Sequence, residues 1–411
     1  MLSLSFLRAH GRLLALGVLL CFCSSAGQTY FISLFGGEVR AEFGLTNAGF
    51  GSVYAVGTLA SAATLIWIGR LIDRVPLPLV AAGVLGMLGT MCLLMGAVWG
   101  IVTMTIAIFG LRLFGQGLAV HTAMTAMARY FEAERGRAIS IAALGNAAGA
   151  ALAPIIVVAA LTIFDWRTVW TITGAGLILL IPIALLLLSG HADRDRALGA
   201  RGTREAGASP DRTLGQALRD VSLWLLLPAL LAPSFISTGL IFHQVHLADA
   251  KGWPLSLMAG SFSLYAVASV AASIGAGPLV DRWSARRLIP FLLTPLTLSC
   301  IVLVPSDAPW AAPVFLALLG TSTGVTAVIK GAIWAELYGT AHLGAIRAFG
   351  QAAMVFSSGL APVAMGVLID LDISMGAIAA GSAIYSVGAS LLVVTLGRPG
   401  SFRTHPRQSA P

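Results

Sequence analysis

A helix needs about 20 apolar residues to cross a bilayer. Runs of that kind can be marked along the chain at 13–36, 47–68, 78–98, 100–127, 138–163, 168–189, 221–245, 255–276, 288–305, 311–336, 348–369 and 374–396. Six runs fall on each side of one long polar break. That break, residues 191–220, mixes Arg with Asp and Glu, contains Gly and Pro, and has no sustained apolar periodicity until its last turns. The pattern predicts an N-terminal six-helix domain over 1–190, a linker over 191–220, a second six-helix domain over 221–398 and a short tail over 399–411. The first run follows Arg8 and Arg12 as a secretory signal would, but it continues through "QTYFISLFGG" and reads as an uncleaved first helix.

The short polar breaks carry a second pattern. "GRLIDRVP" begins at Gly69 and "GPLVDRWS" at Gly277, an offset of 208 that also pairs Tyr130 with Tyr338, Gly136 with Gly344 and Pro154 with Pro362. The halves read as copies. Six spans between copies put both on one side of the membrane, so the repeats are parallel and related by an axis along the membrane normal. Such a plan leaves a central site between two bodies that can rock.

Composition agrees with the membrane reading. Of 411 residues, 57% are hydrophobic and 10% charged, with a mean hydropathy of +0.89, more apolar surface than a soluble core of this size could hide. The net charge of +8 does not form a basic stripe, so it points to topology rather than to nucleic acid. With the N-terminus inside, cytoplasmic segments carry 20 of the 25 basic residues. The outer loops carry only Arg40, Arg167 and Lys251, a bias that places both termini in the cytoplasm. Cys21, Cys23, Cys92 and Cys300 all lie in apolar runs, which argues against a disulfide framework.

The duplicated breaks resemble the loop signature of the major facilitator superfamily, and the resemblance covers essentially the whole chain. It implies an all-α integral membrane protein of twelve transmembrane helices in two parallel six-helix repeats, closing alternately around a mid-membrane cavity without ATP hydrolysis. By this resemblance Gly69, Asp73 and Arg74, with Gly277, Asp281, Arg282, Arg286 and Arg287, belong to the gate. A glycine there would let helices approach closely, and a carboxylate would sit well beside a helix N-terminus. In the first copy "VPLPLV" replaces the basic residues normally found after Arg74. "ARYFEAERGRAISIAALGNAAGAALAP" resembles the end of the fourth span and the fifth span in the monocarboxylate and oxalate/formate branches. It lacks the Gly-Pro and Gly-Gly pairs of many drug/proton antiporters.

Polar groups inside apolar spans are the candidate site residues. Arg112, near the middle of the fourth span, can hold a carboxylate with two parallel hydrogen bonds, or bond to carbonyls of a neighbouring helix. Lys330 in the tenth span has Thr122 as its repeat counterpart, beside His121, so the halves bring a lysine and a histidine to similar depth. Lys330 could equally pair with Glu336. Spans 1, 4, 7 and 10 line the cavity in the family this chain resembles. That adds Gln28, Tyr30, Thr238, His243 and Gln244 to the substrate-binding candidates, with Asn146 and Gln351 behind them. For each one, an interhelical hydrogen bond of about 0.6 kcal/mol is an alternative role.

No Asp or Glu occupies the middle third of any span, although cation-coupled carriers commonly keep one there. An anionic substrate suits this inventory better than a cationic drug. The expectation is a secondary transporter of a small organic anion, a carboxylate, by alternating access; the alternative is a drug or metabolite efflux pump. Coupling to a proton through His121, His243 or His246, or exchange against a counter-anion, are both compatible with it. No cofactor, metal ligand set or catalytic motif is present, so no enzyme is expected. The chain is expected to act as a monomer in the lipid bilayer of a cell inner membrane, with a small-molecule substrate and no nucleic-acid partner.

Overall fold

The computed structural model describes residues 4–68, 75–131, 134–189, 213–339 and 343–394. Twelve helices among them are long and apolar enough to cross a membrane, and no described residue is in a strand. They are α1 Leu4–Cys23, α2 Asn47–Ile68, α3 Leu77–Gly96, α4 Ile101–Tyr130, α5 Arg135–Leu161, α6 Trp166–Leu187, α7 Val221–Phe242, α8 Leu255–Trp283, α9 Ala285–Leu303, α10 Ala311–Tyr338, α11 Leu343–Asp370 and α12 Met375–Val394. Hydrocarbon supplies no hydrogen bonds, so each span must satisfy its backbone internally. Side chains such as Trp67, Trp99, Leu179, Ile274 and Ile384 remain exposed on the outer surface, as a lipid-facing wall requires.

Each half has its own large apolar core, and a smaller cluster around Val80, Val84 and Leu113 lies between α3 and α4. Leu16, Leu20, Phe35, Tyr54 and Trp170 belong to the core of the first half, and Phe262, Cys300, Phe315 and Trp334 to that of the second. Acidic residues cap the helices at the bundle ends. Asp165 accepts the N–H groups of Arg167 and Thr168, each at 3.0 Å, and Asp220 that of Ser222 at 2.9 Å. The two oxygens of Glu336 accept from Ala285 at 2.8 Å and Arg286 at 3.0 Å. Carboxylates are favoured at these helix starts. Glu42 accepts from Arg167 at 2.5 Å and Trp166 Nε1 at 2.9 Å, and the arginine contact holds its carboxyl below the ordinary range.

The structure corrects three sequence expectations. The first span, expected as one helix over 13–36, breaks: α1 passes into a 3₁₀ turn at Ser24–Gly27, then Gln28 is extended at φ −84°, ψ 152°. Chain direction is recovered in Thr29–Ile32, Ser33–Phe35 and Gly36–Phe43. Next, "GPLVDRWS" is not a loop. Helix α8 runs through Pro278 to Trp283, so Gly277, Asp281 and Arg282 lie in its last turns. The chain turns at Ser284, whose φ is 67°, and Arg286 and Arg287 open α9. No atom comes within 4 Å of where a Cβ would stand at Gly277, so close helix approach does not account for that glycine. The predicted gate residues Gly69, Asp73 and Arg74, most of the linker 191–220 and the tail 399–411 lie outside the described residues.

With twelve spans, the start of α1 and the end of α12 share one end of the bundle, here the termini end. The opposite face is the far end.

Candidate functional site

The break in α1 has a partner. Residues Leu111–Ala119 of α4 form a π-helix, a rare conformation that often marks a functional position. Both irregular segments lie near mid-membrane and touch. A Cβ on Gly27 would collide with the carbonyl of Leu111 and lie 2.8 Å from Gly115 Cα, and one on Gly115 would come within 2.7 Å of Gly27 Cα. Glycine at both positions lets two distorted backbones meet where neither completes a regular helix.

Arg112 occupies this junction. It is 3% exposed and donates to the Gly27 carbonyl at 3.0 Å, an acceptor of the broken α1. Its guanidinium stacks over the Tyr54 ring at 5.1 Å, and Tyr54 Oη is 2.7 Å from Thr29 Oγ1. The buried Nε has no partner, and no described carboxylate forms an ion pair with Arg112. Gln116 and His121, further along α4 towards the termini end, are exposed. Near the α1 break, Tyr30 donates to Ser25 Oγ at 3.0 Å and Ser24 donates to Asn146 Oδ1 at 3.1 Å. Gln28 is half-buried beside them.

The second half carries a counterpart that sequence reading missed. "SVYAVG" from Ser52 and "SLYAVA" from Ser263 are 211 residues apart, pairing Tyr54 with Tyr265. Tyr54 lies under Arg112 of α4; Tyr265 Oη lies 3.1 Å from Thr323 Oγ1 of α10. Residues 112 and 323 are also 211 apart. The first half therefore presents a tyrosine with a guanidinium where the second presents a tyrosine with a hydroxyl. The offset returns to 208 by Tyr130 and Tyr338, so α4 has three more residues than α10 in this interval, which contains the π segment. Only a search for the tyrosine repeat, allowing a shifted offset, could have signalled Tyr54, Tyr265 and Thr323. Across the halves Tyr30 approaches Phe262 at 5.8 Å between ring centres, and Phe262 approaches Tyr265 at 5.8 Å.

The other predicted site residues divide between two places. His243 and Gln244 lie in the far-end seam. Gln244 Nε2 donates to Tyr30 O at 2.9 Å and Ser33 Oγ at 2.7 Å, and Ser33 donates to Ile241 O at 3.0 Å. His243 Nε2 is 2.9 Å from Pro362 O. Thr238 is half-buried on α7. Towards the termini end, Lys330 Nζ reaches Gln351 Oε1 at 3.5 Å. Glu336 instead caps the start of α9, so the expected alternative pairing of Lys330 with Glu336 is absent. Outside the spans, burial together with the nearby Arg40 lowers the pKa of His246.

The sequence profile of the Major Facilitator Superfamily matches residues 17–362. The chain belongs to this superfamily. It is therefore a multi-pass membrane transporter of the secondary type and not an enzyme. It is 30% identical to human monocarboxylate transporter 11 over 277 residues, which cover 62% of this chain and 55% of that protein. The chain thus matches about half the length of this curated relative. Among solved structures, the nucleoside transporter NupG aligns over 94% of this chain and 99% of its own, at 12% identity and a TM-score of 0.71. A bacterial homologue of the human lysosomal transporter Spinster, inward-facing and unoccupied, aligns over 94% of both chains at 15% identity and a TM-score of 0.62. At these identities the structural matches establish the fold alone.

Proposed function

We propose that this transporter moves a small organic anion, a carboxylate, by alternating access, with Arg112 as the anion-binding group. The observation that carries the reading is the state of Arg112: almost wholly buried, bonded to one carbonyl, stacked on a tyrosine, with an orphaned Nε and no carboxylate beside it. A buried guanidinium so placed is stabilised by a ligand carboxylate, which can accept two parallel N–H bonds. Tyr30, Gln28 and Asn146 belong to the same binding region, with Tyr265 and Thr323 receiving the polar end of the substrate from the second half. Lys330, Gln351 and His121 form a positively biased approach from the termini end.

Both termini are cytoplasmic in this reading, because the segments on their side of the membrane carry 20 of the 25 basic residues, and the protein sits in the inner membrane as a monomer. The structure then corresponds to a carrier closed outside and accessible from the cytoplasm. The test is counterflow in proteoliposomes with labelled mono- and dicarboxylates beside a cationic dye. Saturable carboxylate exchange is the expected result. Dye movement without carboxylate exchange would favour an efflux pump and return Arg112 to a structural role.

A further inference from the structure

At the far end, α2 begins against the last residue of α11. Asp370 Oδ1 accepts from the backbone N–H and the side-chain Nδ2 of Asn47, both at 3.0 Å, and Oδ2 accepts from the N–H of Ala48 at 2.9 Å. These bonds join the two halves. The first N–H groups of a helix have no partner within it and carry the positive end of the helix dipole, so a carboxylate is the natural cap. Thr46, the residue before the helix, caps only the N–H of Gly49, at 3.0 Å; the N–H groups of Asn47 and Ala48 are taken by a residue 323 and 322 positions away.

Backbone packing fixes the alignment. A Cβ on Gly51 would fall 2.7 Å from the Pro362 carbonyl carbon, and one on Gly366 would fall 2.7 Å from Ala48 N. Over this turn the two backbones meet with almost no side chain between them, which brings the first turn of α2 onto Asp370. Arg40 lines the small far-end pocket with Asn47 and adds a positive charge to these surroundings.

The repeat supplies a comparison. Asp370 corresponds to Thr162 at the offset of 208, and Asn47 to Leu255 as the first residue of its helix. Thr162 donates its hydroxyl to Ala159 O in its own helix at 2.7 Å. The α5–α8 seam has instead the weaker bond from Ser263 to Ala151 O at 3.3 Å. Among the described residues, carboxylate capping across the halves is therefore confined to one of the two symmetry-related seams.

We propose that Asp370 is a positioning residue for the transport cycle: it holds the far end closed by capping α2 across the interface, and must release that cap each time the far end opens. It binds no substrate and acts only through α2. Opening returns both the carboxylate and the α2 N–H groups to water, so the cap weights the equilibrium towards the far-end-closed state. Because Asp370 is partly solvated, the expected weight is that of an ordinary helix cap, roughly a fivefold shift between conformers.

The experiment places a cysteine at Ala55, buried on α2 between the Gly51 and Thr58 contacts with α11, and follows its labelling by a membrane-impermeant maleimide presented from the far side. A second reporter, His121→Cys, reads the termini end. In Asp370→Asn, labelling at position 55 should rise roughly fivefold while labelling at position 121 falls. Asp370→Glu should restore much of the parental pattern, and Asn47→Ala, which removes one side-chain donor and leaves the backbone donors, should shift both reporters by less in the same directions. Should Asp370→Asn not fold, Asn47→Ala decides on its own. Parental rates at both positions in the folded variants, or a rise at both ends as general loosening would give, would overturn the proposal.

Discussion

A guanidinium offers five N–H donors, and the hydrogen bond described for Arg112 uses one of them, on Gly27. Exchanging it for Gln should abolish carboxylate counterflow while leaving the thermal midpoint within a few degrees of the parent, because a buried charge is removed together with its single bond. A large fall in midpoint would assign Arg112 to structure. Lys keeps the charge and loses the planar fork, so Arg112→Lys should lower counterflow by at least roughly tenfold. On the facing half, Thr323→Val and Tyr265→Phe each remove a hydroxyl from the pair; each should raise the half-saturating substrate concentration roughly fivefold, about 1 kcal/mol. Unchanged saturation curves would place Thr323 and Tyr265 outside the binding region. Arg112 stood out in the sequence because a charge in an apolar span has few ordinary explanations. Tyr265 did not, because an amphipathic ring within a span draws no notice until its partner at position 54 is found under the arginine.

At the scale of elements, length and apolarity made the spans legible, yet their interruptions were hidden. "SSAG" at the α1 break is small and uncharged, and nothing from Leu111 to Ala119 forbids a regular helix. The distortions arise from one half-helix meeting another, a tertiary cause with no local signature. His243 and Gln244 illustrate the same limit: their place in the seventh span suggested the cavity, but the meeting of α1 and α7 makes them seam residues. Gly27→Ala should therefore cost about 3 kcal/mol of stability through overpacking, measured as detergent-solubilised thermal or denaturant unfolding. Gly83→Ala in α3, with nothing within 4 Å of the new methyl, is the control and should be neutral or slightly stabilising. Equal behaviour of the two would remove the case for a close α1–α4 junction. A smaller effect belongs to Glu42, which bonds the Gly36–Phe43 segment to the start of α6. Its folded pKa is depressed, so its contribution is present above the unfolded value and is lost as pH falls through the folded one. Comparing wild type with Glu42→Gln should show a difference at neutral pH that begins to shrink as pH falls through the ordinary glutamate value of about 4.3 and vanishes once the folded carboxyl is protonated, and one that is small throughout because the pair is partly exposed.

For the whole molecule, two six-helix bodies were readable from the duplicated "Gly-x-Leu-x-Asp-Arg" breaks, but the side on which they meet was not, since one sequence must serve both arrangements. The hydrogen bonds described between the halves at Ser33–Ile241, Gln244–Tyr30 and Asn47–Asp370 gather at the far end, with the longer Ser263–Ala151 bond deeper in the seam. At the opposite end His121 and Gln351 are exposed. Combining that asymmetry with the basic bias of the termini-side segments leads to a prediction about sidedness. A cysteine at Asp249, exposed beyond α7, should react with an impermeant maleimide in intact cells. A cysteine at His121 should react in inside-out vesicles and only slowly in cells. The two reporters separate two ideas that a single one would confuse. Reversal of both sidedness patterns would mean that the chain is inserted the other way up, with the positive bias misread. The expected result at Asp249 with rapid reaction at His121 from outside would preserve the topology and show that the resting carrier is open to the exterior, in which case the contacts at Asp370 describe a minor state. A saturating carboxylate added on the termini side should slow labelling at position 121 if Arg112 binds it above, because the ligand and the reagent then share one approach.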